Sequence, residues 1–431
     1  MKKPVLIIAY YWPPAGGPGV QRWLKFATYL PQHGFEVTVV VPENPDYPVI
    51  DESLLEQVPE DVSIIKVPIN EPSRWSSALS RKRTKNLQKG ILPKNAGMLQ
   101  RAMIWMRGNL FVPDARVGWK SRVLKAIHPY LLEHKNPTVI TTGPPHSIHL
   151  IGLELKKKYK GFKWLADFRD PWTTIGYHKH LKIGASAQKK HERLEQEVLD
   201  HADLIIVTSP HTGKEFASKT TTPLQVITNG YDIEAAQTTR QPDSVFTLAH
   251  VGTLLSDRDP VILWECLSEL CKEREDFNTD FKLQLAGSIS DEVIASIKKS
   301  GLENKSELLG YVDHQQAVEL MFKAQCLLLI EVDSKDTQAI IPGKIFEYLA
   351  SRRPIIAIGP SQADIEQFIK HTHSGHYFNY QEKIALKKHI LEKYELFKNS
   401  NNEGNSHPSI SSYKRELLTG TLAKTIAYTW E

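Results

Sequence analysis

The sequence predicts an α/β protein built as two doubly wound, Rossmann-like domains. Three observations carry this expectation. Apolar runs of strand length alternate with helical patterns along the chain; the first run ends in a Gly-rich loop that opens a helix; and after a polar stretch at 232–244 the alternation starts afresh.

The elements follow in order. VLIIA (5–9) ends in YYWPPAGGPG, after which Val20, Leu24, Ala27 and Leu30 share one helical face. Gly34 closes that helix, and FEVTVVV (35–41) is the next strand, which completes a strand, loop, helix, strand unit. Further strands are expected at 61–69, 138–143, 163–168, 204–209 and 224–230, with a charged amphipathic helix at 187–203. The second half begins with FTLAHVG (246–252) and continues with strands at 281–287, 306–312, 326–332, 354–359 and 376–380. The division expected is a first domain over 1–235, a second over 245–398, a linker over 399–412 and a C-terminal helix over 413–431, free to pack back on the first domain.

Composition narrows the function. The chain has 431 residues, 41% apolar and 24% charged, an ordinary globular balance. No apolar run approaches the ~18 residues of a membrane span. The start of the chain is too short in apolar residues and too Pro-rich for a signal peptide, so a cytoplasmic location is expected. Cys266, Cys271 and Cys326 have no metal-ligand spacing and read as reduced thiols. The net charge of +5 is unevenly spread: Arg74 to Lys125 carries thirteen Lys and Arg against one acid, Asp114. No nucleic-acid motif accompanies this basic stretch. Leu99, Ala102, Met103, Met106 and Leu110 recur within it at helical spacing, beside Trp105 and Phe111, which suits an anionic membrane surface.

Two loops hold the candidate chemistry. AGGPG (15–19) follows the first strand and opens a helix, so the amides around Gly16 and Gly17 can meet an anion or a sugar. It lacks the three-glycine dinucleotide pattern, and no acid closes the second strand, which disfavours hydride transfer. In IIPGKIFEYLASRRPIIAIGP (340–360), Pro342 and Gly343 open a helix that carries Lys344 in its first turn and Glu347 three residues later. An ammonium at a helix N-terminus is unfavourable unless an anion sits there. A diphosphate resolves that conflict, and Glu347 on the same face is placed for ribose hydroxyls. A P-loop is excluded because Gln338 stands where its first glycine belongs.

The pattern resembles retaining nucleotide-sugar glycosyltransferases of the GT-B fold, family 4, of the kind found in bacterial polysaccharide synthesis. The resemblance rests on YYWPPAGGPGVQR (10–22), TTGPPHSIHLIG (141–152), DFRDPW (167–172), LEQEVLDHADLIIVTSP (194–210) and VITNGYD (226–232) in the first half. In the second it rests on HVGTLLSDRDP (250–260), LLGYVDHQQAVELMFKAQCLLLI (308–330) and PGKIFEYLASRRPI (342–355). It implies two Rossmann-like domains facing across a cleft, a nucleoside-diphosphate sugar as co-substrate, an acceptor on the N-terminal side, and neither a metal nor another cofactor. It assigns Glu347 to the donor ribose, Gly252 and Thr253 to the diphosphate, and Arg258 to the same charge. The family commonly has an acid eight residues before Glu347, where this chain has Ala339; Asp336 or Gln338 could substitute.

Physical logic points the same way, because breaking the bond from sugar to diphosphate develops negative charge that Arg258, Lys344 and the helix end would meet. On the acceptor side, His146 and Asp170 lie just past strands, where either could orient or deprotonate a hydroxyl, with Arg169 beside Asp170. Asp257 and Asp259 spell an Asp-x-Asp in the wrong context for a metal motif, and His371, His373 and His376 read as solvated. The function expected is transfer of a sugar to a saccharide or lipid-linked acceptor in the cytoplasm, with the inner face of the plasma membrane as a peripheral station. A GT-B-fold nucleotide-sugar 2-epimerase and a non-catalytic membrane-associated assembly protein are the alternatives.

Overall fold

The computed structural model describes residues 2–71, 105–174, 181–232, 241–399 and 407–430. Among these, the chain forms two compact units, residues 1–229 with 415–431, and residues 230–414.

The first unit is a seven-stranded parallel sheet in the order β3-β2-β1-β4-β5-β6-β7. Its strands are β1 (Lys3–Ala9), β2 (Phe35–Pro42), β3 (Ser63–Val67), β4 (Thr138–Gly143), β5 (Lys163–Phe168), β6 (Leu204–Val207) and β7 (Leu224–Val226). Val5 to Ala9 are fully buried, as a central parallel strand covered on both faces requires. Strand β1 pairs with β2 on one side (Val5↔Val37) and with β4 on the other (Val5↔Thr138). The order reverses there, which opens the topological switch point between the ends of β1 and β4. The Arg415–Tyr428 helix belongs to this unit and buries Leu418, Leu422 and Ile426 in its core, and Trp430 Nε1 donates to Thr138 Oγ1 at 3.0 Å.

The second unit is a six-stranded parallel sheet in the order β10-β9-β8-β11-β12-β13. The strands are β8 (Phe246–Val251), β9 (Phe281–Ala286), β10 (Ser306–Gly310), β11 (Cys326–Ile330), β12 (Ile355–Gly359) and β13 (Gly375–Asn379). Its switch point falls between β8 and β11.

All thirteen expected strands are present, and several stop short of their expected ends. β3 ends at Val67 before Pro68, which has no amide to continue the ladder. β7 is an edge strand of three residues, not the seven of LQVITNG, because only β6 pairs with it. Over the end of the expected linker, Pro408–Tyr413 forms a 3-10 helix whose Ile410 is buried in the second unit and accepts from Tyr231 Oη at 3.2 Å. Residues 72–104, with Leu99, Ala102 and Met103 of the apolar stripe, lie outside the described residues; Trp105, Met106 and Leu110 are exposed.

Candidate functional site

In the second unit the candidate residues gather at the switch point. The Lys344–Ser351 helix is short, so what matters is how it is pinned. Tyr348, one turn beyond Lys344, is fully buried; its hydroxyl accepts from Val251 N at 3.0 Å and donates to Leu328 O at 3.3 Å, which ties the helix to the end of β8 and the middle of β11. Ile345 and Phe346 amides serve the turn by bonding Pro342 O and Gly343 O. The amides of Gly343 and Lys344 stand at the N-terminus of this helix.

Lys344 Nζ lies 3.4 Å from His250 Nε2. His250 is fully buried and its Nδ1 is 3.0 Å from the Leu328 carbonyl, which can only accept, so Nδ1 carries the proton and Nε2 takes a bond from the ammonium. Burial, and secondarily Lys344 itself, holds His250 well below the ordinary histidine range. Burial pushes the Lys344 ammonium down to about 8; Glu331 opposes the shift and Arg258 adds to it. Gly252, φ 123°, has a conformation that side chains rarely adopt, and a Cβ there would lie 3.0 Å from Lys344 Nζ. Two constraints thus require glycine at the point where this loop meets the ammonium.

Arg258, in the Ser256–Arg258 turn, reaches toward the same place, its Nη2 3.6 Å from Glu331 Oε2. Glu347 is partly exposed, with His314 Nδ1 4.0 Å from Oε1, and Thr253 is exposed beside Gly252. The structure therefore brings Gly252, Thr253, Arg258, Gly343, Lys344 and Glu347 to the ends of β8 and β11 and the helix between β11 and β12. Sequence reasoning missed Glu331, the first residue after β11, which is 2% exposed. Its only sequence signal is an acid directly after the five apolar residues of β11. Of the two acids flanking Arg258, Asp259 has a structural role, accepting from Trp264 Nε1 at 2.6 Å.

In the first unit the candidates flank the switch point between β1 and β4. Gly17, φ 112°, opens the Pro18–Tyr29 helix, and its carbonyl accepts from Val20 and Gln21; Gly16 N donates to Val49 O at 3.1 Å. Gly19 lies against the Arg169 guanidinium, which a Cβ there would displace. Arg169 also donates to Pro144 O, so it bridges the Gly-rich loop and the loop after β4. Burial lowers the pKa of Arg169 and raises that of its partly exposed neighbour Asp170, each opposed by the other's charge. His146 is buried and stacks flat on Trp172, with centroids 5.0 Å apart at 4°. The structure sets it inside an aromatic stack.

Four separate sequence stretches meet in one buried network. Asp167 accepts from Arg22 Nη2, Trp23 Nε1 and Thr142 Oγ1, each at 2.8 Å, and Arg22 Nη1 donates to Thr228 O at 2.8 Å. The Gly-rich loop's helix, β4, β5 and the VITNG segment are thereby locked together, which holds the Arg169–Asp170 pair in place.

No protein-family model and no curated protein matches the chain. Solved structures do, over nearly their full length. Sucrose-phosphate synthase from Thermosynechococcus elongatus is 15% identical, with 100% of this chain and 99% of that one covered and a TM-score of 0.61. HepE of Anabaena, solved with UDP-glucose, is 15% identical, with 99% of each chain covered and a TM-score of 0.57. A Listeria monocytogenes protein assigned as a UDP-N-acetylglucosamine 2-epimerase is 13% identical, with 100% and 97% covered and a TM-score of 0.54. The fold these chains share is GT-B, two Rossmann-like parallel-sheet units.

Proposed function

We propose that the chain is a glycosyltransferase that moves a sugar from a nucleoside-diphosphate sugar to a saccharide or lipid-linked acceptor, with retention, in cell-surface polysaccharide synthesis, as in family 4. The observation that carries this reading is the pairing of Lys344 and Arg258 at the switch point of the second unit, beside the helix amides of Gly343 and Lys344. Two cations and a helix N-terminus against the single buried acid Glu331 leave an excess of positive charge in one partly buried place, which is costly unless a further anion joins them. A diphosphate fits, and the same groups stabilise it as it leaves. Gly252 and Thr253 let the loop approach it, and Glu347 takes the ribose hydroxyls. These side chains supply the charge that a divalent ion would otherwise bring, so the reaction needs no metal.

In the first unit, Asp170 is the residue we assign to the acceptor hydroxyl, with Arg169 holding it and His146 supporting the loop from its stack on Trp172. Gly17 presents its loop amide to the sugar, and Gly16, whose own amide is held by Val49 O, shapes the loop. The exposure of Trp105, Met106 and Leu110 favours a role for Arg74–Lys125 on an anionic membrane face, where a lipid-linked acceptor would be met. Binding to anionic but not neutral liposomes at low salt is the check on that part.

The epimerase reading retains one observation, the shared fold of the Listeria protein. One experiment separates the readings: full-length protein is screened by thermal shift against UDP, GDP, ADP and their sugars, then incubated with the stabilising nucleotide sugar alone. A ligand at 100 times its dissociation constant stabilises by ~2.7 kcal/mol. A transferase gives only slow hydrolysis, whereas an epimerase converts the donor sugar. Absence of any nucleotide response removes the reading altogether.

A further inference from the structure

Glu331 has a setting that the roles above do not use. It is the first residue past β11, one of the two strands that flank the switch point, and its side chain is 3% exposed. Among the described residues, neither carboxylate oxygen has a hydrogen-bond partner. The nearest cation, Arg258 Nη2, stands at 3.6 Å, beyond hydrogen-bond distance, and Lys344 Nζ is engaged with His250. Burial raises the Glu331 carboxyl above its usual range although Arg258 and Lys344 pull it down. Two unmet acceptors in a buried place are destabilising, and such groups ask for an explanation.

The side chain is also rigidly aimed. Its backbone amide donates to Ile358 O at 2.8 Å and its carbonyl accepts from Tyr380 Oη at 2.8 Å. Its Cβ packs against Gly359, where a side chain would come within 3.2 Å. An ionised carboxylate only accepts, so the missing partner carries donors. A phosphate is excluded by like charge. A divalent ion is disfavoured by the two neighbouring cations, and the described residues contain no group of three ligating side chains that could hold one. In a nucleotide sugar, hydroxyl donors flank the diphosphate on both sides, on the ribose and on the transferred sugar; the ribose is assigned to Glu347, which leaves the sugar for Glu331.

We propose that Glu331 is a donor-specificity residue: its carboxylate accepts hydrogen bonds from hydroxyls of the transferred sugar, so that the site prefers a neutral, hydroxyl-rich sugar diphosphate over the bare nucleoside diphosphate. This inference rests on the donor reading given above. It follows that the sugar enters beside β11, with Arg258 and Lys344 on its phosphate side.

The test is calorimetry on full-length protein with UDP and UDP-glucose, GDP and GDP-mannose, and ADP and ADP-glucose, using the pair that binds. Glu331→Gln should reduce the affinity ratio of nucleotide sugar over nucleotide about tenfold or more, while affinity for the nucleotide alone is unchanged or tighter. Glu331→Asp, which withdraws the carboxylate by one methylene, should lose the ratio as well, and it carries the measurement if the Gln variant does not melt cooperatively. Equal weakening of nucleotide and nucleotide sugar would make Glu331 a counter-ion of Arg258 and Lys344 and overturn the proposal. No change in either affinity would overturn it too. If the wild type binds a nucleotide but gains nothing from the sugar, only this inference falls; if no pair binds, the donor reading falls and takes it along.

Discussion

The depressed Lys344 ammonium makes donor binding dependent on pH with a sign that can be worked out. The free protein holds Lys344 at about 8, below the ordinary 10.5 of lysine, because the ammonium is crowded by protein and by Arg258. A diphosphate binds the charged form, so deprotonation competes with binding as pH rises. From that value Lys344 is about 97% charged at pH 6.5 and about 24% at pH 8.5. Apparent affinity scales with the competent fraction, so the dissociation constant should rise about fourfold across that window. An unshifted lysine would change it by only a few per cent. His250 stays neutral throughout, since it is held far below this range. The assay is calorimetry with the nucleotide sugar found in the screen, whose two phosphates keep constant charge here, on wild type and on Lys344→Arg. The Arg variant keeps its charge and should give a flat profile. A wild-type affinity that is level, or that tightens toward pH 8.5, would refute the placement of the ammonium on the diphosphate.

Arg258→Ala should lower kcat by about 100-fold to 1,000-fold with the fold intact, by loss of a preorganised charge; turnover near wild type removes it from the mechanism. Glu347→Ala should mainly weaken nucleotide binding, by about 1.5 to 3 kcal/mol, and calorimetry showing unchanged affinity counts against the ribose role. Asp167→Ala leaves Arg22 buried without its counter-charge, since both side chains are 1% exposed or less. The expected loss is about 3 to 5 kcal/mol in chemical denaturation, and a loss under about 1 kcal/mol would deny the network its weight. Activity should persist in EDTA; inactivation that magnesium or manganese reverses would contradict the metal-free mechanism.

The strands were legible because a parallel sheet covered on both faces demands unbroken apolar runs, and FEVTVVV or CLLLI allow little else. Their ends were less so, since in LQVITNG the apolar Ile227 and the β-branched Thr228 carry the strand-like composition past Val226, where pairing with β6 ends. Lys344 and Glu347 could be singled out because helix spacing is local. Glu331 could not: its burial is made by Gly359 and Tyr380, 28 and 49 residues away, and a lone acid after a strand ordinarily faces water. Asp167 was equally hidden. DFRD drew attention to Asp170, while the partners that bury Asp167 include Arg22, separated by 145 residues. Pairings of that range leave no periodicity to read.

The return of the chain to its first unit has a consequence for synthesis. Domains generally form as they emerge from the ribosome, the N-terminal one first. Here the Pro18–Tyr29 helix belongs to a core that also needs Leu418, Leu422 and Ile426. Those residues are made only after all of 230–414, so the core of the first unit is completed after the second unit is available in full. Until then the nascent first unit presents an uncovered apolar face, and the ribosome-bound chain is where a chaperone would be most needed.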